Sequence, residues 1–213
     1  MVACDADSCF TVIEVGHAGR DSDGGVLKAS RIGRWLQREG NRLHLPSDQK
    51  LANDESGGIF KFYFVADEAF PIGKNMLRPY PRKGINNRKR VFNYRLSRGR
   101  KSIGCTFGMM ASKFAVLSTP ISSKNVATAN NIIHAVCVLR NFIRTREVIS
   151  YRPTYNFDDH ANEEHLPEEL EEAFQEAPAF PQRLSGTSFR EYISYNFLKP
   201  NTSIPFQWKY YVQ

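Results

Sequence analysis

The sequence lacks acidic residues over a long internal stretch. No aspartate or glutamate occurs between Glu68 and Glu147, in a chain of 213 residues with 22 acids. The same stretch contains sixteen lysines and arginines. An ordinary solvated surface mixes both signs, because opposite charges four residues apart stabilise a helix. The absence of acids therefore favours a surface that faces a polyanion, nucleic acid first, and the net charge of +7 agrees with this interpretation.

Cysteine pairs and long apolar runs are absent as well. The four cysteines show no C-x-x-C spacing, which gives no support to a zinc knuckle or a redox pair. Reduced thiols in an intracellular protein are the simpler interpretation. No apolar run approaches the roughly 20 residues that a membrane span needs. The N-terminus carries neither the basic nor the apolar region of a signal peptide. We therefore expect no membrane partner.

What is present suits one folded domain with a tail. Hydrophobic residues make up 41% of the chain and aromatic residues 12%, which is enough for a core. The pattern predicts a hairpin over 2–15 and a strand over 59–66 that is buried on both faces. Between them it predicts a helix that starts near residue 23, runs through Leu36 and is ended by Gly40. It then predicts a basic helix over 86–97, a short strand over 114–117, and a long helix from a Ser123 cap to about residue 144. This order indicates an α/β fold with helices on both faces of a sheet.

The remainder of the chain divides by composition. Residues 148–187 are acidic and contain several prolines, and we interpret them as a linker with an acidic cluster at 158–176. Residues 188–213 are predicted to form a helix and an aromatic tail, and Ser188 with Glu191 resembles a capping box at the start of that helix. The predicted domain organisation is thus 1–147, 148–187 and 188–213.

Two aspartates are candidates for metal chemistry. Asp67 follows the most apolar predicted strand, and ligands of open α/β sheets collect at such strand ends. Asp23 stands at the start of a predicted helix. Nucleases that use two metal ions need several carboxylates converging on Mg²⁺ or Mn²⁺. The residues alone leave other roles open, because an aspartate can form a turn after a strand or cap a helix.

Five segments of the chain, in order, resemble PIF/Harbinger-type transposases and the nucleases derived from them. G-H-A-G-R-D-S-D-G-G-V-L at 16–27 is similar to the family's G-x-P-G-S-x-x-D-x-x-V. V-A-D-E-A-F-P-I at 65–72, followed by L-R-P-Y-P-R, is similar to G-D-x-A-F-P-L and M-x-P-Y. The other three segments are F-N-Y-R-L-S-R-G-R-K at 92–101, F-G-M-M-A-S-K-F-A-V-L at 107–117 and A-V-C-V-L-R-N-F at 135–142. Five blocks in register over about residues 2–146 are far more specific than any one alone.

The resemblance implies a ribonuclease-H-like mixed sheet flanked by helices, and DNA cleavage or strand transfer that depends on Mg²⁺ or Mn²⁺. It implies that Asp67 is the second catalytic aspartate, and that Asp23 and Asp67 are metal ligands. Two departures predict that the metal is bound weakly or not at all. Nothing matches the D-G-T-H or D-G-K-H segment that carries the first catalytic aspartate, so we expect the N-terminus to be truncated and the opening strand to be missing. Gly104 stands where the family has its catalytic glutamate, and Arg140 replaces the histidine of V-L-H-N-F.

The basic run supplies the predicted DNA-binding residues. These are Arg82, Lys83, Arg88, Lys89, Arg90, Arg95, Arg98, Arg100 and Lys101. The leading hypothesis is a nuclease-like, DNA-associated protein with impaired catalysis. One alternative is an active metal-dependent endonuclease or transposase, if an upstream strand exists. Another is an interaction module that pairs with a Myb-like DNA-binding partner, for which the acidic cluster at 158–176 is a candidate docking surface. The nucleus is the expected location, with the cytoplasm as the alternative.

Overall fold

The computed structural model describes residues 1–37, 44–55, 57–123, 125–147, 180–181, 185–204 and 206–210. These residues form a mixed α/β protein, which confirms the predicted fold class at that level. The chain divides into two compact units: unit 1 comprises Met1–Leu43 and Gly99–Thr154, and unit 2 comprises His44–Arg98 and Tyr155–Gln213. The helix end predicted at Gly40 and most of the predicted acidic linker lie outside the described residues.

Unit 1 begins with the predicted hairpin. Strands β1 (Val2–Cys4) and β2 (Phe10–Ile13) pair antiparallel. Asp5 closes the turn between them, because its Oδ1 accepts a hydrogen bond of 2.8 Å from the backbone amide of Cys9. Ser8 adopts a left-handed φ of 63° within the same turn. Local turn chemistry therefore favours this hairpin, and the prediction is confirmed.

The single helix predicted after residue 23 is wrong, because two helices meet there at a corner. Helix α1 spans Asp23–Ala29 and α2 spans Arg31–Gln37. Ser30 between them has an extended backbone, and its hydroxyl donates to the carbonyl of Leu27 at 2.6 Å while accepting from the amide of Gly33 at 2.9 Å. A buried serine thus ends one helix and starts the next, which apolar periodicity does not indicate.

Helix α3 is longer than predicted, and a turn replaces the short strand expected after it. Helix α3 spans Asn87–Lys113, so it continues well past the end expected near residue 97. Glycines alone do not end it, because each costs only about 1 kcal/mol relative to alanine. The segment Ala115–Leu117 is a 3-10 turn. Helix α4 spans Val126–Glu147, and Asn125 rather than Ser123 caps it, accepting from the amide of Ala127 at 2.8 Å.

The core of unit 1 packs α4 and the second half of α3 around the hairpin. Phe10, Met110, Val136 and Cys137 are its buried residues. The side-chain amide of Asn141 on α4 makes two hydrogen bonds to Phe10: Oδ1 accepts from its backbone amide at 2.8 Å, and Nδ2 donates to its carbonyl at 2.7 Å. The helix therefore completes the polar pairing of β2 as a neighbouring strand would.

Unit 2 contains a minimal parallel sheet, and the long strand predicted over 59–66 is wrong. Strand β3 (Phe64–Val65) pairs parallel with β4 (Met76–Leu77). Ile59 is 59% exposed and Val65 is 37% exposed, so the segment is not buried on both faces. Phe60 makes an isolated antiparallel bridge with Gln49. The described residues form two separate two-stranded sheets, and the ribonuclease-H-like arrangement stays a prediction.

Helix α5, Gly186–Asn196, supplies a large share of the unit 2 core. Its buried Phe189, Tyr192 and Ile193 pack with buried residues from earlier in the chain, namely Phe60, Leu77, Tyr80, Phe92 and Leu96. The capping box lies three residues before the predicted one, because it joins Ser185 and Ser188. Gly186 lies so close to Gly73 that a Cβ added to it would be 2.7 Å from that backbone. A second 3-10 helix, Gln207–Tyr210, follows.

Helix α4 would also suit a membrane span by length and composition alone. One such helix is weak support for a membrane protein, because the core helix of a soluble protein passes the same test. The expectation of no membrane partner stays a prediction.

Candidate functional site

Asp67 follows β3 after one intervening residue, Ala66, at the carboxyl end of a parallel strand pair, as the strand-end argument predicted. Its Oδ1 accepts a hydrogen bond of 3.0 Å from the backbone amide of Ala69. Arg78 holds the same turn from the other side, donating to the carbonyls of Glu68 at 3.1 Å and Phe70 at 3.2 Å. The turn-forming role that the sequence left open is therefore realised in the structure. A role in metal binding stays a prediction.

Asp23 occupies the first turn of α1, and it does not cap the helix. The cap is Ser22, whose hydroxyl accepts from the amide of Gly25 at 3.2 Å. The carboxylate of Asp23 is exposed and is favourably placed near the positive end of the helix dipole. Asp23 belongs to unit 1 and Asp67 to unit 2.

Gly104 is an exposed residue in the interior of α3. A Cβ added to it would meet nothing within 4 Å. Steric fit therefore does not require glycine at this position. The residues three and four positions away on the same helix are Arg100, Lys101, Phe107 and Gly108, and none of them carries a carboxylate.

The described residues contain no ready-made metal centre. Among them, no three His, Cys, Asp or Glu side chains come together in a way that could hold a metal ion. In unit 1, His17 and Glu14 approach each other, with 3.7 Å between Nε2 and Oε1, but they form a pair only. The carboxylate of Glu14 is already used at the corner between the helices, where it accepts from the amide of Arg31.

Two of the nine predicted DNA-binding residues contact the C-terminal part of unit 2. Arg88 pairs with Glu191 on α5, and its guanidinium carbon lies 4.0 Å from the centroid of the Tyr195 ring. Arg95 lies 3.7 Å from the ring centroid of Phe197 and donates to the carbonyl of Thr202 at 2.7 Å. Burial lowers the pKa of Arg95 to about 10, so that this guanidinium still carries its charge at neutral pH. These two cations hold the C-terminal part of the chain against α3.

The other predicted DNA-binding residues differ in exposure. Arg82, Lys83 and Lys101 are exposed. The remaining four are partly buried. Among them, Lys89 interacts with the ring of Tyr80, Arg90 with Asn87, and Arg98 with Tyr94. Arg100, the fourth, lies in the part of α3 that belongs to unit 1, as does Lys101.

Arg190 joins this basic surface of unit 2, and the sequence analysis missed it. Its guanidinium carbon lies 4.0 Å from the ring centroid of Tyr80, while Lys89 approaches the same ring at 5.2 Å. Arg190 also donates to the carbonyl of Pro79 at 3.2 Å. We call Arg82, Lys83, Lys89 and Arg190 the Tyr80 basic patch. Only the fold reveals the membership of Arg190, because it lies far along the chain from Lys101, the last residue of the basic run.

A comparison with protein-family models shows which family the chain belongs to. A family model described as DDE superfamily endonuclease matches residues 1–141, which is about two thirds of the chain. The chain belongs to the DDE superfamily endonucleases. Comparisons with curated proteins and with solved structures gave no significant match. The match supports the predicted superfamily, and it covers Asp23, Asp67, Gly104 and the whole of the basic run.

DDE superfamily endonucleases generally use divalent metals. A two-metal centre needs several hard oxygen ligands that converge on the ions. The described residues do not fit that requirement, because no three candidate ligands converge and a glycine stands at the position that resembles the family's glutamate. Membership of this superfamily therefore does not by itself provide this chain with a complete catalytic centre.

Proposed function

We propose that this DDE superfamily endonuclease is a Harbinger-type, nuclease-like protein that associates with DNA and is impaired in cutting it. One observation carries the proposal: the 27 residues of α3 include eight lysines and arginines and no aspartate or glutamate. The same helix thus provides positive charge that can bind a polyanion, and it lacks the carboxylate that cleavage needs. The metal is weakly held or lost in this proposal, and Asp67 is a remnant of the catalytic set.

The argument for impaired cleavage rests on the carboxylates. Two-metal chemistry lowers the pKa of the attacking water and stabilises the leaving oxygen only when acidic ligands fix both ions. Gly104 brings no ligand, and no neighbour on the same face of α3 replaces it. Asp67 contributes one oxygen to the turn at Ala69, which leaves less of its carboxylate for a metal.

The argument for DNA association rests on the Tyr80 basic patch of unit 2. Arg82 and Lys83 are exposed just after Tyr80 in the chain, and two further cations lie over its ring. Glu191, an acid that contacts Tyr80, is already paired with Arg88 and accepts a hydrogen bond of 2.7 Å from the hydroxyl of Tyr80. Phosphate contacts of this kind support binding that tolerates many sequences and weakens with salt.

A plasmid-nicking assay tests the catalytic part of the proposal. Supercoiled DNA is incubated with the full chain and Mg²⁺ or Mn²⁺, and Asp67→Asn is the control for contaminating nuclease. We expect no nicking by the wild type above the Asp67→Asn background. Robust nicking that the Asp67→Asn change abolishes would refute the impairment and establish the alternative of an active endonuclease.

A salt-dependence measurement tests the binding part. Fluorescence anisotropy with a duplex DNA gives the slope of log affinity against log salt concentration. This slope is negative, and its magnitude decreases by about 0.9 for each phosphate contact that is lost. Arg82→Gln combined with Lys83→Gln should weaken binding and flatten this slope. Lys61→Gln combined with Lys74→Gln removes the same charge from other exposed positions of unit 2 and should leave the slope unchanged. If both pairs of substitutions had the same effect, net charge and not the Tyr80 basic patch would explain the binding, which would contradict this part of the proposal.

The family resemblance also leads us to propose a nuclear location and pairing with a Myb-like DNA-binding protein. The basic run supports the location, because clusters of lysine and arginine serve as import signals. Imaging of a fluorescently tagged chain tests it, with exclusion from the nucleus as the contrary result. Co-purification with a co-expressed Myb-like protein from the same genome tests the pairing, and failure to co-purify contradicts it.

A further inference from the structure

Helix α4 in unit 1 exposes several large apolar side chains in addition to the apolar residues that it buries in the core. Its buried face includes two arginines, Arg140 at 3% and Arg144 at 8% exposure. Its outward face carries large apolar side chains, with Val138 61% exposed, Leu139 51% and Phe142 52%. A surface helix normally turns its apolar side to the core and its charges to water. Exposed apolar side chains that lie together on one helix are typical of a surface that contacts a partner.

The outward apolar residues form one continuous stripe. Ala135, Val138, Leu139 and Phe142 follow the spacing i, i+3, i+4 and i+7, which places them together over two turns. We call these four residues the outer stripe. Ala135 is exposed like the other three, so that a small side chain lies one turn away from the larger ones. This spacing is the pattern by which an amphipathic helix recognises a hydrophobic partner surface.

The charge around the outer stripe indicates what kind of partner fits. The guanidinium of the exposed Arg146 lies over the ring of Phe142, with 4.1 Å between its central carbon and the ring centroid. Helix α4 has no acid before its last residue, Glu147, and that carboxylate is paired with Lys113. The apolar stripe therefore ends beside an exposed positive charge, and the only acid of α4 is paired with a lysine of α3.

We propose that the outer stripe docks an acidic amphipathic helix of a partner protein. The partner's apolar side chains would pack on Val138, Leu139 and Phe142, and a carboxylate at its edge would pair with Arg146. A second copy of this chain is a poorer occupant, because each copy carries a net charge of +7. A lipid surface is also a poorer occupant, because helices that lie on membranes carry several exposed lysines or arginines, whereas Arg146 is the only exposed lysine or arginine of α4. This inference is independent of the proposed role in DNA association.

A pair of synthetic helical peptides provides the direct test. Both carry leucine on one face, and the remaining positions are glutamate in one peptide and lysine in the other. Binding of each labelled peptide to the full chain is followed by fluorescence anisotropy. We expect the glutamate peptide to bind at least about tenfold more tightly than the lysine peptide. Equal binding of the two peptides, or binding of neither, overturns the proposal.

Two valines of α4 provide matched variants for this test. Val138 lies in the outer stripe, while Val126 is 71% exposed at the start of the same helix and outside the stripe. Val138→Ser should weaken binding of the glutamate peptide about five- to tenfold, the size expected for one lost apolar contact. Val126→Ser should have no effect. Unfolding midpoints of both variants establish that the fold is retained, and equal peptide affinity in both overturns the assignment to the stripe.

Further experiments test the contribution of the Arg146 charge and the two alternative occupants of the outer stripe. Arg146→Glu should reduce the preference for the glutamate peptide over the lysine peptide. Sedimentation of the chain at increasing concentration detects self-association, and flotation with vesicles that contain anionic lipid detects membrane binding. Self-association or vesicle binding that Val138→Ser abolishes would replace the acidic partner with a second copy or a lipid surface, and would overturn the proposal as stated.

Discussion

Arg88 on α3 and Glu191 on α5 form an ion pair inside unit 2, across more than a hundred residues of sequence. The Arg88 side chain is only 10% exposed, and it also donates to the hydroxyl of Ser194. The hydroxyl of Tyr80 donates to the other carboxylate oxygen of Glu191 at 2.7 Å. A cation from the most basic part of the chain is therefore used to hold the C-terminal helix, and stability and DNA binding should respond to different arginines.

Replacing Arg88 by alanine should destabilise unit 2. The change removes charge-assisted hydrogen bonds and leaves the partner side chains without their donor, for which we expect a loss of about 1–3 kcal/mol. We expect no larger loss of stability, because the Glu191 side chain is 38% exposed and water can replace part of the interaction. Urea unfolding followed by tryptophan fluorescence measures it. Arg82→Ala is the control, because Arg82 is exposed, and it should change stability by less than about 0.5 kcal/mol. Equal stability of the two variants would contradict the role given to Arg88.

The same ion pair should make unit 2 sensitive to acid. Burial alone would raise the pKa of Glu191, but hydrogen bonds from Tyr80 and Arg88 and the charge of Arg88 outweigh it, so that its pKa lies below the usual range. A carboxyl with a lowered folded-state pKa stabilises the fold above its unfolded-state pKa, and that stabilisation disappears as the pH falls through the folded-state value. Glu191→Gln should therefore lower the free energy of unfolding near neutral pH and have a smaller effect at about pH 3. Unfolding of both proteins across that pH range is the measurement, and a constant difference would rule out this linkage.

Two glycines should respond in opposite ways to substitution by alanine. A Cβ on Gly33 would lie 1.7 Å from the carbonyl oxygen of Leu27, and backbone cannot move aside cheaply. Gly33→Ala should therefore open the corner between α1 and α2 and cost about 2 kcal/mol or more. A Cβ on Gly104 meets open space within a helix, so Gly104→Ala should stabilise the protein by about 0.5–1 kcal/mol. Thermal unfolding of the two variants compares them directly, and a midpoint lowered by both changes would contradict the open surroundings of Gly104.

Local chemistry made part of this fold predictable from the sequence. The hairpin follows from an Asp/Ser turn between short β-branched runs, and Asp5 closes it by a contact within the turn itself. Helix α4 follows from its 3.6-residue period, although its buried face proved to include Arg140 and Arg144. The position of Asp67 after a strand was predictable too, because the apolar segment before it ends there. In each case the determining contacts lie close together in the chain.

The aromatic segment around Phe60 could not be predicted because its partners are distant. Its sequence resembles a buried strand, yet Phe60 packs against rings rather than strands, with centroid distances of 4.9 Å to Phe180, 4.9 Å to Phe189 and 5.3 Å to Tyr192. Aromatic and β-branched content indicates burial but not the type of neighbour. The same limit applies to Arg190, whose contact with the ring of Tyr80 joins residues that are far apart in the chain.

Two asparagine side chains that form hydrogen bonds with the backbone, one in each unit, should contribute to the stability of their unit. Asn93 on α3 accepts from the amide of Tyr80 at 2.8 Å and donates to its carbonyl at 2.9 Å, which repeats the geometry of Asn141 with Phe10. In each pair one side-chain amide satisfies a donor and an acceptor on a residue that is itself buried. Asn141→Ala should leave both backbone groups of Phe10 without that partner, and a buried unsatisfied group costs about 1–3 kcal/mol.

Amide hydrogen exchange distinguishes this role from a general loss of packing. Asn141→Ala should speed exchange at the Phe10 amide in unit 1, while Asn93→Ala should act on the Tyr80 amide in unit 2. Asn131→Ala, at an exposed position of α4, is the control and should change neither exchange nor stability appreciably. Uniform exchange changes across both units after Asn141→Ala would indicate global unfolding. A Phe10 amide that stays protected in that variant would show that another acceptor replaces the asparagine.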